Sequence, residues 1–222
     1  MAHVSTLRYL KKSHRKEVIL PRRSVLLAEY VGIMLGDGGI NNDWQANITL
    51  NSDADAKYIP FVTSLCFQLF GIMPAVRKRA TRKAVVISLA STTVVDFLVE
   101  LGLRRGNKLK QGLCIPPWIL RKKAYKTACV RGLVDTDGCL YIHKHIVSKK
   151  EYRNIGLCFT SYSAELIGQV ATIFEEFAIM PHISGTGRNI YLYSEKDVSK
   201  YLRVFGTSND RIRSVYEKWR GD

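Results

Sequence analysis

Two aspartates carry the residue types and spacing best suited to chemistry. Asp37 closes the run Tyr30-Val31-Gly32-Ile33-Met34-Leu35-Gly36-Asp37-Gly38. Asp137 closes Val130-Arg131-Gly132-Leu133-Val134-Asp135-Thr136-Asp137-Gly138, 100 residues later. Each run is apolar and helix-like, carries small residues near its end, and stops at an Asp-Gly pair. A single run of this kind is an ordinary helix exit, with the Asp bonding local amides. Two runs, each followed by similar sequence, point to a pseudo-two-fold protein with one carboxylate per half. Carboxylates brought together from two helix ends can hold hard divalent cations such as Mg2+. Both readings of the pair, helix cap and cation ligand, start from the same residues.

The elements that must position these aspartates follow from periodicity. Ser24 is a candidate N-cap for a helix over Val25 to Leu35, in which Gly32 and Gly36 strip side chains from one face and let another backbone approach. Alternation from Ile40 to Leu50 about Asn41-Asn42-Asp43 predicts a hairpin. Ala54 to Phe70 has helical spacing, Met73 to Arg79 and Ala84 to Leu89 make a second hairpin, and Ser91 to Leu101 returns to helix. The stretch 103–120, with Arg104, Arg105, Lys108 and Lys110 among glycines and then Pro116-Pro117-Trp118, reads as a linker ending in a short helix.

The order then repeats. Tyr125 to Asp135 is a helix, Cys139 to Val147 and Tyr152 to Thr160 are strands, and Ala164 to Phe177 is a helix. Pro181 to Ser184 and Asn189 to Tyr193 form a hairpin, Lys196 to Phe205 a helix, and the basic segment Asp210 to Arg220 another. Asn47-Ile48 echoes in Asn154-Ile155, and Gly71-Ile72-Met73-Pro74 in Ala178-Ile179-Met180-Pro181, both at an offset of 107. The aspartate runs are offset by 100, so the first hairpin of the second half must be the longer one. The chain divides into a basic arm over 1–23 (with His14, Arg15, Lys16, Arg22 and Arg23 clustered), a first repeat over 24–105, a linker over 106–122 and a second repeat over 123–222.

Alternation also assigns strand faces. Ile48, Leu50, Val85, Ile87 and Leu89 should face the helices, as should Leu140, Ile142, Ile146, Ile155, Leu157, Phe159, Ile190 and Leu192. That leaves Asn47, Thr49, Asn51, Arg77 and Arg79 outward in the first half. In the second half it leaves Tyr141, His143, His145, Thr160, Tyr191 and Tyr193, joined by Arg153, His182 and Arg188. Such side chains can hydrogen-bond base edges or phosphates, and a two-stranded ribbon fits the major groove. His143-x-His145 has metal-ligand types, but no further ligand at suitable spacing completes a zinc site, so it reads as groove contact.

Composition agrees. The 222 residues hold 34 Lys and Arg against 19 Asp and Glu, a formal charge of +15. That points to a polyanionic partner, and without a membrane span or a basic amphipathic helix the partner is nucleic acid rather than a membrane. The five cysteines are scattered and form no Cys-x-x-Cys pair, so neither a zinc ribbon nor a disulfide framework is expected. They suit a reducing compartment, the cytoplasm or an organelle matrix.

Taken together, the two aspartate runs resemble the paired signature helices of the LAGLIDADG homing endonucleases in their single-chain, two-repeat form. Gly132-Leu133-Val134-Asp135-Thr136-Asp137-Gly138 follows the pattern almost throughout. The first copy has Leu35 where an acid stands in the second, and keeps Gly36-Asp37-Gly38. Gly106-Asn107-Lys108, followed by Ile115-Pro116-Pro117-Trp118-Ile119, is similar to the connector before the second motif. The resemblance implies an α+β fold of two αββαββα halves, with signature helices side by side and a saddle of antiparallel sheets over double-stranded DNA. It implies that Asp37 and Asp137 are ligands of Mg2+ or another divalent cation such as Mn2+, with the backbone carbonyls of Gly36 and Thr136 as further donors. Through Tyr193-Ser194-Glu195-Lys196 it makes Lys196 the catalytic basic residue. Asp135 is expected to make a helix-end hydrogen bond instead of binding metal. The function implied is a monomeric endonuclease that makes a double-strand break in a long, non-palindromic target. Two other functions are compatible with the same features: an RNA-binding intron maturase, and a DNA-binding regulator whose active site has decayed.

Overall fold

The computed structural model describes residues 17–148 and 150–221. The first half runs α1 (Val25–Gly36), β1 (Gly38–Asn42), β2 (Gln45–Asn51), α2 (Tyr58–Phe70), β3 (Ala75–Lys78), β4 (Ala84–Ala90) and α3 (Thr92–Glu100). After a short α4 (Pro117–Leu120), the second half runs α5 (Lys123–Asp137), β5 (Gly138–Val147), β6 (Lys150–Thr160), α6 (Ala164–Glu176), β7 (His182–Ile183), β8 (Asn189–Leu192) and α7 (Glu195–Val204). A final helix, α8 (Asp210–Gly221), completes the chain as described. The order αββαββα thus occurs twice. The two four-stranded sheets have matching orders, β1-β2-β4-β3 and β5-β6-β8-β7, with every pairing antiparallel.

α1 starts at Ser24, whose side chain accepts from the Leu27 amide at 3.2 Å. Every residue from Leu27 to Leu35 is buried, because a helix apolar on all sides cannot sit at a surface. It lies against α5, and two glycines make that possible. A Cβ on Gly32 would overlap the carbonyl oxygen of Cys129, and one on Gly132 would overlap that of Glu29. Across the same seam, Arg131 binds the buried Glu29 through two nitrogens, at 2.9 and 2.5 Å, and Ser208 donates to Glu29 at 2.6 Å. The carboxylate is therefore paired on both sides, which burial of a charge demands.

The strand faces largely follow alternation. Ala46, Ile48, Leu50, Val85, Ile87 and Leu89 are buried against the helices, as are Leu140, Ile155, Leu157, Phe159, Ile190 and Leu192. Ile146 is the exception: it shares their side of the sheet but is 73% exposed. β5 and β6 are ten and eleven residues long against five and seven in β1 and β2, and the long hairpin runs past the helices that would cover it. Ile142, closer in, is half-buried.

Of the basic N-terminal segment, His14, Arg15 and Lys16 lie outside the described residues. The part that follows is docked: Val18 and Leu20 are buried, and the Ile19 amide donates to the Phe70 carbonyl at 2.9 Å. The linker also adheres to the core. Leu103, Leu113, Ile115 and Trp118 are buried, and the Trp118 indole donates to Leu101 at 3.1 Å.

Candidate active site and open sheet faces

α1 and α5 end side by side, so Asp37, at the C-cap of α1, and Asp137, the last residue of α5, come to one place. A Cβ on Gly36 would meet Thr136 and approach Asp137 Oδ2, so the two Asp-Gly ends are in contact across the seam. Burial pushes Asp37 up to about 6, aided by the charge of Asp55 and opposed by Lys108 and Arg211. Burial pushes Asp137 up to about 7, aided by Asp37 and opposed by Lys108. Two carboxylates half-removed from water, with Asp37 further disfavouring the ionisation of Asp137, form a site that a cation would relieve.

Two basic side chains complete the arrangement, one per half. Lys108 Nζ donates to the carbonyls of Leu35 at 2.6 Å and Gly38 at 2.8 Å, and also to that of Gly36. It therefore covers the carbonyl end of α1, where a helix leaves acceptors unpaired and favours positive charge. Burial lowers its pKa, and Asp137 and Asp37 oppose that. Arg211 does the same for α5, donating to Gly138 O at 2.9 Å and Asp135 O at 3.1 Å, and to Asp55 Oδ1 at 3.2 Å. Asp55 is itself buried, and Asn209 holds it at 2.8 Å.

The site opens through two clefts that share Asp37. One, of about 430 Å3, is lined by Thr49, Asn51, Asp55, Lys83, Thr136 and Arg211 besides Asp37. The other, of about 320 Å3, is lined by Asn41, Asn47, Thr49, Asn107 and Lys108. The open face of the first sheet therefore runs directly into the site. No group of three or more His, Cys, Asp or Glu side chains suited to a metal exists among the described residues. The donor set is two carboxylates, with backbone oxygens and open space beside them. That fits a hard cation that takes its remaining ligands from water and substrate oxygens.

Several sequence expectations change here. The catalytic lysine expected at Lys196 lies in the first turn of α7, exposed. After burial, the groups that shift the aspartates are Asp55, Lys108 and Arg211 for Asp37, and Asp37 and Lys108 for Asp137. Lys108 and Arg211 occupy matching places at the ends of α1 and α5. Of the two backbone carbonyls expected as further cation ligands, that of Gly36 accepts from Lys108; the Thr136 hydroxyl, a separate group, turns back to Gly132 O and Leu133 O at 3.0 and 2.9 Å. Asp135 is fully buried and ties α5 to the loop before α8. It accepts from Thr207 and, at 2.7 Å, from the Ser208 amide, while burial pushes it up to about 7. Lys108 stood out only as part of the connector Gly106-Asn107-Lys108. Arg211 and Asp55 carried no local signal.

The open faces gather most of the remaining candidates. Register places Asn47 and Thr49 opposite Ser88 and Val86, and Val86 opposite Arg77, so all share a face; the Arg79 amide continues the ladder to Ala84. Asn51 uses its side-chain oxygen locally, capping the turn at Asp53 and Ala54 at 2.9 and 3.0 Å. In the second sheet, Tyr141, His143 and His145 share a face with Tyr152, Thr160, Tyr191 and His182. Tyr193 stacks on Tyr191 at 5.3 Å, and Thr160 donates to Asn189 at 2.7 Å. Arg188, in the β7–β8 loop, lies over the Tyr162 ring at 5.0 Å. Arg153 is the exception. It pairs with Lys144 and lies on the helix side of the sheet, because it shares parity with Ile155.

This two-repeat α+β fold, with aspartates at its paired helix ends, is similar to known proteins. Residues 124–219 match the family described as LAGLIDADG-like domain. No curated protein matches the chain. The fold is similar to that of the I-LtrWI LAGLIDADG homing endonuclease bound to target DNA, at 10% identity and TM-score 0.59 over 89% of each chain. It is also similar to the meganuclease I-SmaMI bound to uncleaveable DNA, at 10% identity and TM-score 0.59 over 89% of this chain and 90% of that one. I-DmoI in complex with DNA and Mn matches at 15% identity and TM-score 0.52 over 83% and 98%. The second half thus matches the LAGLIDADG-like family model, and the whole chain is similar in fold to the two-repeat LAGLIDADG homing endonucleases. Among the described residues, no helix is long and apolar enough to cross a membrane.

Proposed function

We propose that this protein is a divalent-metal-dependent homing endonuclease that makes a double-strand break in a long, non-palindromic DNA target. The observation that carries the reading is the convergence of Asp37 and Asp137 at the adjoining ends of α1 and α5, each made harder to ionise by burial, with Asp37 also acting on Asp137. A carboxylate pair is an odd feature on the surface a +15 chain offers to a polyanion, unless a cation stands between acid and phosphate. When bound, Mg2+ or Mn2+ would supply charge neutralisation at the scissile phosphate and a more acidic water. The chain's own residues do the rest. Asp37 and Asp137 would hold the cation, one carboxylate from each half. Lys108 and Arg211, fixed on the carbonyl ends of their helices, keep positive charge beside the reacting phosphates. The open sheet faces, with Asn47, Thr49, Arg77, Tyr141, His143, His145, Tyr191 and Tyr193, carry target recognition. The I-DmoI complex with DNA and Mn supports both the partner and the type of ion.

The test is selection of a cleaved duplex from a random library in Mg2+ or Mn2+, followed by Asp37→Asn and Asp137→Asn. A discrete double-strand cut, lost in both variants while duplex binding persists, is expected. Cleavage that survives both substitutions would sink the assignment. Preference for a structured RNA over every duplex would replace it with the maturase reading.

A further inference from the structure

The two halves are not equal in reach. β5 leaves the site directly at Gly138 and runs ten residues, and β6 returns over eleven; β1 leaves at Gly38 and runs only five, with β2 returning over seven. At about 3.4 Å per residue, the second hairpin extends roughly 14–17 Å farther from the carboxylates. That is about four to five base pairs at ~3.4 Å each.

The extra length has no structural employment beneath it. Ile146, on the side that is packed nearer the core, is 73% exposed. On the other side, the overhang carries an ordered column: His143 stacks on His145 at 5.5 Å with 21° between planes, and His145 on Tyr152 at 5.6 Å with 16°. Lys150 lies over the Tyr152 ring at 5.6 Å. Flat rings with hydrogen-bonding edges, held against each other, offer recognition groups whose side-chain entropy is already reduced. The first hairpin ends differently. Its turn residue Asp43 is paired with Arg105 at 3.2 Å, and Ile40 O accepts from the Gly106 amide at 2.7 Å, so that end is tied back to its own half.

We propose that the target has unequal arms, the longer one read by the second half, with His143, His145 and Tyr152 contacting its outermost four to five base pairs. The proposal rests on the endonuclease reading above and adds a direction and a length to it. Hydroxyl-radical footprinting of the selected duplex tests it, using the full chain. Protection should extend about four to five base pairs farther on one side of the cut than on the other. His143→Ala with His145→Ala and Tyr152→Ala should remove that extra protection and the base preference there, leaving the opposite arm intact. Asn47→Ala with Thr49→Ala and Arg77→Ala should thin the opposite, shorter arm. Equal arms in the unsubstituted protein, or losses from the histidine–tyrosine variant spread over both arms, would overturn the proposal while leaving the nuclease standing. Absence of protection on any duplex would overturn both.

Discussion

The halves of this molecule agree where the chemistry sits and differ where recognition would. At the end of the seam the main features have counterparts: Gly32 and Gly132, Asp37 and Asp137, and a cation on each helix end in Lys108 and Arg211. Away from the seam, the first sheet presents Asn, Thr and Arg on short strands, whereas the second presents His and Tyr on long ones. The comparison teaches where the fold tolerates change. Backbone contact at the helix seam leaves no room for side chains, so both copies are held to the same solution. An open sheet face packs against nothing in the protein, and its residues can diverge.

The most severe way to break the symmetry of the seam is at the carboxylates. Asp37→Asn and Asp137→Asn should each remove double-strand cutting below detection in a plasmid linearisation assay. If only one of them mattered, the halves would not be chemical equals. Next come the cations. Lys108→Ala and Arg211→Ala should each slow cleavage by about 10²–10³, the range for removing one preorganised charge partner. Lys196→Ala should leave the rate within about threefold, and a loss from Lys196→Ala matching that of Lys108→Ala would restore the sequence-based assignment.

The helix seam should respond next, in stability. Gly32→Ala and Gly132→Ala both drive a methyl into a backbone carbonyl, and overpacking of this kind costs about 1–3 kcal/mol. The melting temperature should fall by roughly 2–4 °C for each kcal/mol, and comparably in the two halves.

The acids of the seam also predict a pH dependence. Asp37, Asp137 and Asp135 are pushed up to about 6, 7 and 7, so between pH 4 and 7 the folded protein holds more protons than the unfolded chain. Their contribution to stability is therefore present at low pH and lost as pH rises through the folded values. The metal-free protein should melt at lower temperature at pH 7 than at pH 5. Asp137→Asn should flatten that slope and raise the neutral-pH melting point. An unchanged slope would mean that the carboxylates are not in repulsion.

The smallest effect concerns one residue at which the halves diverge in backbone chemistry. α2 ends at Gly71 with φ 70°, and the equivalent turn after α6 places Ala178 at φ 52°. An L-residue pays about 1–2 kcal/mol in that region, which glycine avoids. Ala178→Gly should raise the melting point by a few degrees.

Much of this was legible in the sequence because it depends on short-range pattern. The Asp-Gly ends, the Ser24 cap, both hairpins of each half and the repeat order follow from periods of 3.6 and 2 and from turn residues. Even the longer hairpin of the second half is visible, in the shift of offset from 100 to 107. Ile146 shows the limit of alternation: parity assigned its side of the sheet correctly, but whether a helix covers that side depends on how far α7 and α8 reach along β6 and β5. Arg153 shows the same limit from the other direction, since a basic residue suits nucleic acid only on the face that parity leaves open.

What the sequence by itself determined, then, is the number of halves, their element order, and the two aspartates that close the apolar helices, because each is encoded within a dozen residues. Only the tertiary structure decided who stands beside those aspartates. Lys108 comes from the linker, Arg211 from the start of the last helix and Asp55 from the loop before α2, separated by up to 156 residues in the chain. No local period links them. They meet because glycine contact at the seam draws α1 and α5 together, and the carbonyl ends of two packed helices attract whatever positive charge the surrounding loops can bring.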